Sequence, residues 1–204
     1  MSRVRIAPIV EGHGEVQAVP MLIRRIAVEV DPVLTAAIEP PIRVPANRLR
    51  KLGELERTVE LAARKLGGAG GILILVDCDW DNGCPKWDGP VLLQRAQSAR
   101  PDMPISLVLA YREYEAWFIA AAESIRGRRG LANTVEVVAD PEGIRGAKEW
   151  LSSRMPPNRP YAETTDQPAL TQWFDMQAAR RANSSDKCYR EIVGLLNKLR
   201  TETH

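Results

Sequence analysis

Cysteine is scarce in this chain: Cys78, Cys84 and Cys188 are the only three in 204 residues. They form no paired framework, which excludes a disulfide scaffold and points to a reducing, cytoplasmic setting. An inert role as small buried hydrophobes is expected for all three. Histidine is scarcer still, with only His13 and His204. Cys78 and Cys84 are too widely spaced for a zinc knuckle, so zinc is not expected. Net charge is almost absent too, since 28 basic residues face 26 acidic ones for a formal +2. The strongly basic footprint of many nucleic-acid binders is therefore missing, although the balance excludes no partner. No apolar run approaches the roughly 20 residues that span a bilayer, so no membrane partner is expected. The first residues read straight into a strand rather than an apolar leader. Internal repeats and low-complexity tracts are also lacking.

What remains is the composition of an ordinary globular protein, 45% hydrophobic and 26% charged. The length suits one core with a modest extension. Strands are predicted at 5–10, at 71–76 and at 105–110, with a weaker one at 38–44 interrupted by Pro40-Pro41. The run at 71–76 is apolar without alternation, the pattern of a strand buried on both faces. Pro8 argues against a central position for the first strand, because proline gives no N–H to a ladder. Helical spacing links Val19, Leu22, Ile23, Ile26 and Val30, with Pro20 near the helix start. A second stripe joins Leu52, Leu55, Val59, Ala62 and Leu66 and ends at Gly67-Gly68. Further helices are expected around 91–99, from Tyr114 to Ala122, and over Tyr189, Ile192, Val193, Leu196 and Leu199, the last capped by Ser184 or Ser185. Strand–helix alternation implies a mostly parallel sheet between helices, with residues 1–122 as the α/β unit and 123–204 as a helical extension packed on it.

Carboxylates follow three of these strands. Glu11 and Glu15 come after the first, Asp77, Asp79 and Asp81 after the second, and Glu113 and Glu115 after the third. Ligands of open parallel sheets bind beyond the carboxyl ends of the strands, so all three groups are expected at one edge. Gathered carboxylates repel one another unless a cation joins them. Oxygen donors without histidine or thiolate favour Mg²⁺, Mn²⁺ or Ca²⁺ over zinc or copper.

Glu11-Gly12 after the first strand and Asp77-x-Asp79 after a buried one resemble the Toprim domain of topoisomerases, primases and recombination factors. The spacing Glu11-x-x-x-Glu15 resembles the overcoming-lysogenization-defect nucleases in particular. Val10-Glu11-Gly12-His13-Gly14-Glu15, Val76-Asp77-Cys78-Asp79 and Glu113-Tyr114-Glu115-Ala116-Trp117-Phe118 resemble a Toprim-like prokaryotic family known as domain of unknown function 4276. The resemblance covers roughly the first 120 residues and, less specifically, the segment from Tyr161 to Asp175 and the last helix. It implies a Toprim-like Rossmannoid three-layer sandwich and Mg²⁺- or Mn²⁺-dependent phosphodiester hydrolysis on DNA or RNA, in phage defence or a mobile element. Carried across, Glu11, Asp77 and Asp79 become catalytic residues and metal ligands, with Glu15, Asp81, Glu113 and Glu115 as further metal ligands. One departure stands out: the family's Asp-x-Asp-x-x-Gly pattern places glycine at position 82, where this chain has Asn82.

Plainer readings compete. Asp77-x-Asp79-x-Asp81 with Asp88 imitates a calcium loop but lacks its glycine and preceding helix. A haloacid-dehalogenase-like phosphatase needs its Asp-x-Asp at the first strand, which ends in Glu11 instead. Gly12-His13-Gly14 lacks the third glycine of a dinucleotide loop, and His13 reads as a solvated loop residue. Only one of Glu113 and Glu115 is expected in the cleft, with Arg112 pairing one of them. Trp117 and Phe118 read as core, the arginines at 126–129 and 180–181 as solvated, and Lys148 as an ordinary surface lysine. Besides a nuclease, a non-catalytic binding module acting with a partner protein and a nucleotide phosphohydrolase remain open. The chain is too short for a topoisomerase and has no zinc module for a primase.

Overall fold

The apolar run at 71–76 becomes β4 (Gly71–Cys78), and the sheet's two faces are both covered there. In the computed structural model, which describes residues 3–201, β4 lies between β1 (Arg3–Val10) and β5 (Ile105–Tyr111). His204 falls outside the described residues. Two short strands, β2 (Thr35–Ile38) and β3 (Ile42–Arg43), pair with the other side of β1, so five strands run parallel in the order β2-β1-β4-β5 with β3 extending the β2 edge.

Side-chain alternation feeds two cores. Leu73 and Leu75 pack with Ile23 and Ile26 of α1 (Glu15–Val30) and with Leu195 and Leu196 of α9 (Asn183–Thr201). Ile72, Ile74 and Val76 pack instead with Val59 and Leu66 of α3 (Glu54–Leu66) and Ala96 of α4 (Pro85–Ala99). The result is the expected three-layer Rossmann-like sandwich. The extension beyond residue 122 contributes α9 to one of the outer layers. After β3 the chain crosses back over β1 to reach β4, so the strand order reverses between β1 and β4. Such switch points are where open α/β sheets leave a crevice for ligands.

Pro8 does occupy an inner strand, contrary to the sequence reading, and the register explains how. Ile6 O accepts from Glu39 N at 2.9 Å and Val10 O from Val44 N at 2.8 Å, so Pro8, midway between, turns its nitrogen to the same flank. The neighbouring strand is broken there, with β2 ending at Ile38 and β3 starting at Ile42. No N–H is needed at that gap.

Three other expectations change. Leu52 is 91% exposed in the turn before α3 and is not part of its apolar stripe. α4 begins at Pro85, earlier than the spacing suggested, because Pro90 is tolerated within it. Neither Ser184 nor Ser185 caps α9: the Glu142 carboxylate accepts from Asn183 N at 3.0 Å and Ser184 N at 2.9 Å. Trp117 and Phe118 are core residues as expected, with Trp117 Nε1 donating to Ser184 Oγ at 2.9 Å. Among the described residues no helix is long and apolar enough to cross a membrane.

Candidate functional site

Parallel strands bring Glu11, Asp77 and Glu113 to one rim although up to about a hundred residues separate them along the chain. A hollow of about 380 Å³ at this rim is lined by all three together with Asp79 and Lys148. A second hollow, of about 240 Å³, shares Glu11, Asp77 and Lys148 and adds Glu15, Glu163 and Gln167. Asp77 extends the face of β4 that carries Leu73 and Leu75, which drives its carboxylate under the turn after β5, where Oδ1 accepts from Tyr114 N at 3.0 Å. The strand ends one residue later at Cys78, and Asp79 emerges exposed at the mouth.

Each remaining carboxylate has its own tether. Glu15, the first residue of α1, folds back so that Oε2 accepts from Glu11 N and Gly12 N, both at 2.8 Å. The same group that closes the β1–α1 turn therefore stands buried in the site. Glu115 opens α5 (Glu115–Ala120) with no measurable exposure, and its Oε1 accepts from Tyr161 Oη at 2.8 Å. Glu113 reaches the cleft through a tight turn in which Arg112 takes φ +66°, a left-handed conformation rare for arginine. Glu113 Oε2 then accepts from Ala147 N at 2.7 Å, capping α6 (Ala147–Ser152). That cap fixes Lys148, the second residue of α6, with Nζ 3.5 Å from Glu113 Oε1 and 3.5 Å from Glu163 Oε2.

The expectations for this edge divide accordingly. Glu11, Glu15, Asp77, Asp79 and Glu113 line the two hollows, while Glu115 lies buried behind them and acts on Asp77 and Lys148 through its charge, so one glutamate of the third group reaches the cleft, as expected. Asp81 does not, since it lies exposed in the turn after Trp80 and lines neither hollow. Arg112 forms no ion pair with either glutamate among the described residues; its guanidinium rests 5.2 Å from the Tyr111 ring centroid. Asn82, where the resemblance led glycine to be expected, takes φ +58°, a left-handed conformation that asparagine tolerates. Asp88 bonds Cys84 N at 2.8 Å and caps α4 rather than closing a calcium loop.

Sequence reasoning weighed Lys148 against a phosphate and set it aside as an ordinary surface lysine, and it missed Tyr161, Glu163 and Gln167. Glu163 and Gln167 belong to α7 (Glu163–Thr171), which docks on the Gly12-His13-Gly14 turn. Gly14 N donates to Glu163 Oε1 at 3.0 Å, and a Cβ on Gly12 would sit 2.6 Å from the same oxygen. The two glycines thus admit a helix. The basic turn at 126–129 is exposed as expected, but Arg129 also serves this docking: it pairs with Asp166 at 2.8 Å, and Asp166 Oδ2 accepts from Ala162 N at 2.9 Å to cap α7. Arg180 and Arg181 are similarly engaged, with Asp186 at 2.7 Å and Val138 O at 3.1 Å.

Charge is the tension in this site. Burial pushes Glu15 from its ordinary 4.5 up to about 8, and Glu115 to about 7 against the pull of Lys148 and Tyr161. Burial also raises Glu11, and burial followed by the charges of Glu15 and Glu115 raises Asp77 well above the usual carboxylate range. Desolvation opposes the Lys148 ammonium, but Glu115, Asp77, Glu163 and Glu113 outweigh it and keep it charged. Burial pushes Glu163 up as well, yet the Gly14 N–H and Lys148 bring it below its ordinary value. Among the described residues, the carboxylate oxygens Glu11 Oε2 and Glu115 Oε2 are buried without a hydrogen-bond partner, as are Gln167 Oε1 and Arg112 Nε. Such orphans are rare in folded proteins and mark a place for a ligand, water or ion.

A stability–pH relation follows. Groups with raised folded-state values bind more protons in the folded than in the unfolded chain between about 4.5 and about 8. Folding stability in that window therefore falls as pH rises. Below it, Glu54, Glu56, Glu60, Asp102 and Asp186, which ion pairing holds low, lose their contribution as pH falls. The melting temperature in metal-free buffer is expected to be higher at pH 5 than at pH 8. A rise from pH 5 to pH 8 would contradict the charge crowding.

No curated protein and no solved structure matches the chain. A family model does, and it takes in every carboxylate of the rim together with Lys148 and α7. Its match runs over residues 10–189, and the chain therefore belongs to the family described as a domain of unknown function (DUF4276).

Proposed function

We propose that the rim is a divalent-cation-dependent phosphodiester-processing centre, acting as a nuclease on DNA or RNA in the reducing interior that three unpaired cysteines favour. The observation that carries this reading is the pair of buried, unpartnered carboxylate oxygens on Glu11 and Glu115, from the ends of the strands on either side of Asp77. Among the described residues no group of three His, Cys, Asp or Glu side chains is already arranged to hold a metal ion. The donor set nevertheless fits a hard cation in kind, being oxygen throughout. Glu11, Asp77 and Asp79, which line one hollow, would hold Mg²⁺ or Mn²⁺ after side-chain rotation, with Glu113 and Glu115 beside them and Glu15 supporting the turn. When bound, such a cation supplies charge neutralisation at phosphate and acidifies a water.

The chain's own residues do the rest. Lys148 Nζ offers a positive charge to a phosphate entering between Glu113 and Glu163. Glu11, which lines both hollows and whose Oε2 has no hydrogen-bond partner, takes the proton of the attacking water. Tyr161 Oη and the backbone N–H of Tyr114 hold Glu115 and Asp77 in place while charge shifts around them.

Plasmid and single-stranded DNA incubated with Mg²⁺ or Mn²⁺ should be cut by the wild-type protein. Asp77→Asn and Glu11→Gln should each lower the rate by roughly a hundredfold or more, the scale on which positioned acid–base and metal groups act. Cutting that persists undiminished in both variants would place the activity elsewhere. One observation favours a second reading: Lys148 already balances the carboxylates, as a site that binds a partner protein's nucleic acid without turnover would need. That module would retain metal-dependent binding and show no strand scission. A nucleotide phosphohydrolase would instead release phosphate from free nucleotides.

A further inference from the structure

The larger hollow has a second wall that the carboxylate chemistry does not use. Beside the acidic residues it is lined by Asn47, Arg50 and Trp80. The Arg50 guanidinium lies 4.5 Å from the centroid of the Trp80 ring, a layered cation–π pair. Neighbouring arginines are neutralised, Arg48 by Glu54 and Arg95 by Glu56, whereas Arg50 meets no carboxylate among the described residues. The wall is also fixed in place. Arg95 donates to Arg50 O at 3.2 Å and Lys51 O at 2.9 Å, pinning the backbone behind Arg50. Gly83 N donates to Trp80 O at 2.9 Å, and a Cβ on Gly83 would lie 2.8 Å from Trp80 Nε1, so the indole folds closely over its own turn. The left-handed backbone at Asn82 makes that turn possible.

We propose that Trp80, Arg50 and Asn47 form a nucleobase subsite, so that the hollow takes one unstacked nucleotide with its phosphate towards Lys148 and the carboxylates. The inference rests on the reading of the acidic end as a phosphate-processing centre and adds the form of the substrate. A volume of about 380 Å³ suits a single nucleotide rather than a duplex. Indole and guanidinium planes both stack on any base, and a carboxamide offers donor and acceptor to a base edge. Bases inside a duplex are already stacked and cannot enter such a pocket, so a single strand or a frayed end is the form selected.

Binding measured with Ca²⁺ in place of Mg²⁺ separates this subsite from catalysis. The probes are deoxyadenosine 5′-monophosphate, deoxyribose 5-phosphate, an oligodeoxyadenylate of about ten nucleotides, and the same strand in a duplex. Titrated by calorimetry, the wild-type protein should bind the base-bearing monophosphate at least tenfold more tightly than the baseless sugar phosphate, and the single strand more tightly than the duplex. Trp80→Ala should weaken base-bearing ligands by roughly tenfold to a hundredfold and leave the sugar phosphate unchanged, while Trp80→Phe retains most of the difference. Equal affinity for the two monophosphates, no effect of Trp80→Ala, or no binding of any probe would each overturn the subsite. Binding of the monophosphate but not the strand would make the source a free nucleotide. Base-dependent binding without any DNA cutting would sink the nuclease reading alone, and cutting with no base dependence would sink only the subsite.

Discussion

Replacing Lys148 by methionine should destabilise the metal-free protein by about 2–3 kcal/mol near pH 8, or roughly 4–12 °C in melting temperature. The stem of the side chain is retained, so the loss isolates the charge. Without it Glu113 and Glu163, each 3.5 Å from Nζ, face Asp77 and Glu115 with nothing to offset them. Removing one partner of a fully buried pair costs about 3–5 kcal/mol, and the one-third exposure of Lys148 lowers the figure. The penalty should shrink at pH 5, where the carboxylates whose titration burial has raised carry protons. Added Mn²⁺ should restore much of the stability at pH 8, because a cation at the rim supplies the missing charge. Thermal melts at the two pH values, with and without Mn²⁺, give the comparison. An identical loss under all conditions would mean that Lys148 acts through packing alone.

Gly14→Ala is the second large effect, through space rather than charge. Gly14 has φ −68°, so its backbone accepts alanine readily. The added methyl, however, would lie 2.5 Å from the carbonyl oxygen of Glu163 and closer still to the Gln167 amide. Since a backbone atom cannot rotate aside, α7 must move. A loss of roughly 1–3 kcal/mol is expected, as for other overpacked contacts. The damage should reach the rim as well, because the Gly14–Glu163 bond and the Glu163–Lys148 pair depend on that docking. Gly194→Ala is the control: it sits exposed in α9 with open space at its Cβ position, and should be neutral or stabilising by up to about 1 kcal/mol. Equal melting temperatures for the two variants would refute the close approach.

What sequence reasoning reached is what strand order dictates. Glu11, Asp77 and Glu113 each follow an apolar run, and parallel pairing obliges the ends of such runs to meet. Lys148, Tyr161 and Glu163 carry no comparable signal. They lie in short helices and loops where neither period repeats, and their arrival at the rim depends on α6 being capped by Glu113 and α7 being admitted by two glycines. Pro8 misled for a related reason: the rule against proline in inner strands holds at each residue, and here the neighbouring strand is missing at the one position concerned. The cap of α9 was invisible because Glu142 lies 41 residues away from Asn183 in sequence.

The interrupted flank of β1 has a consequence for how copies of this protein meet. An outermost strand usually presents a row of free amide and carbonyl groups on which another polypeptide can zip up. Here that outer row amounts to four residues and then two, divided by Glu39-Pro40-Pro41, and its prolines have no hydrogen to offer. A strand arriving from a neighbouring molecule would lose its grip after a few bonds. This border is thus poorly suited to templating fibrils.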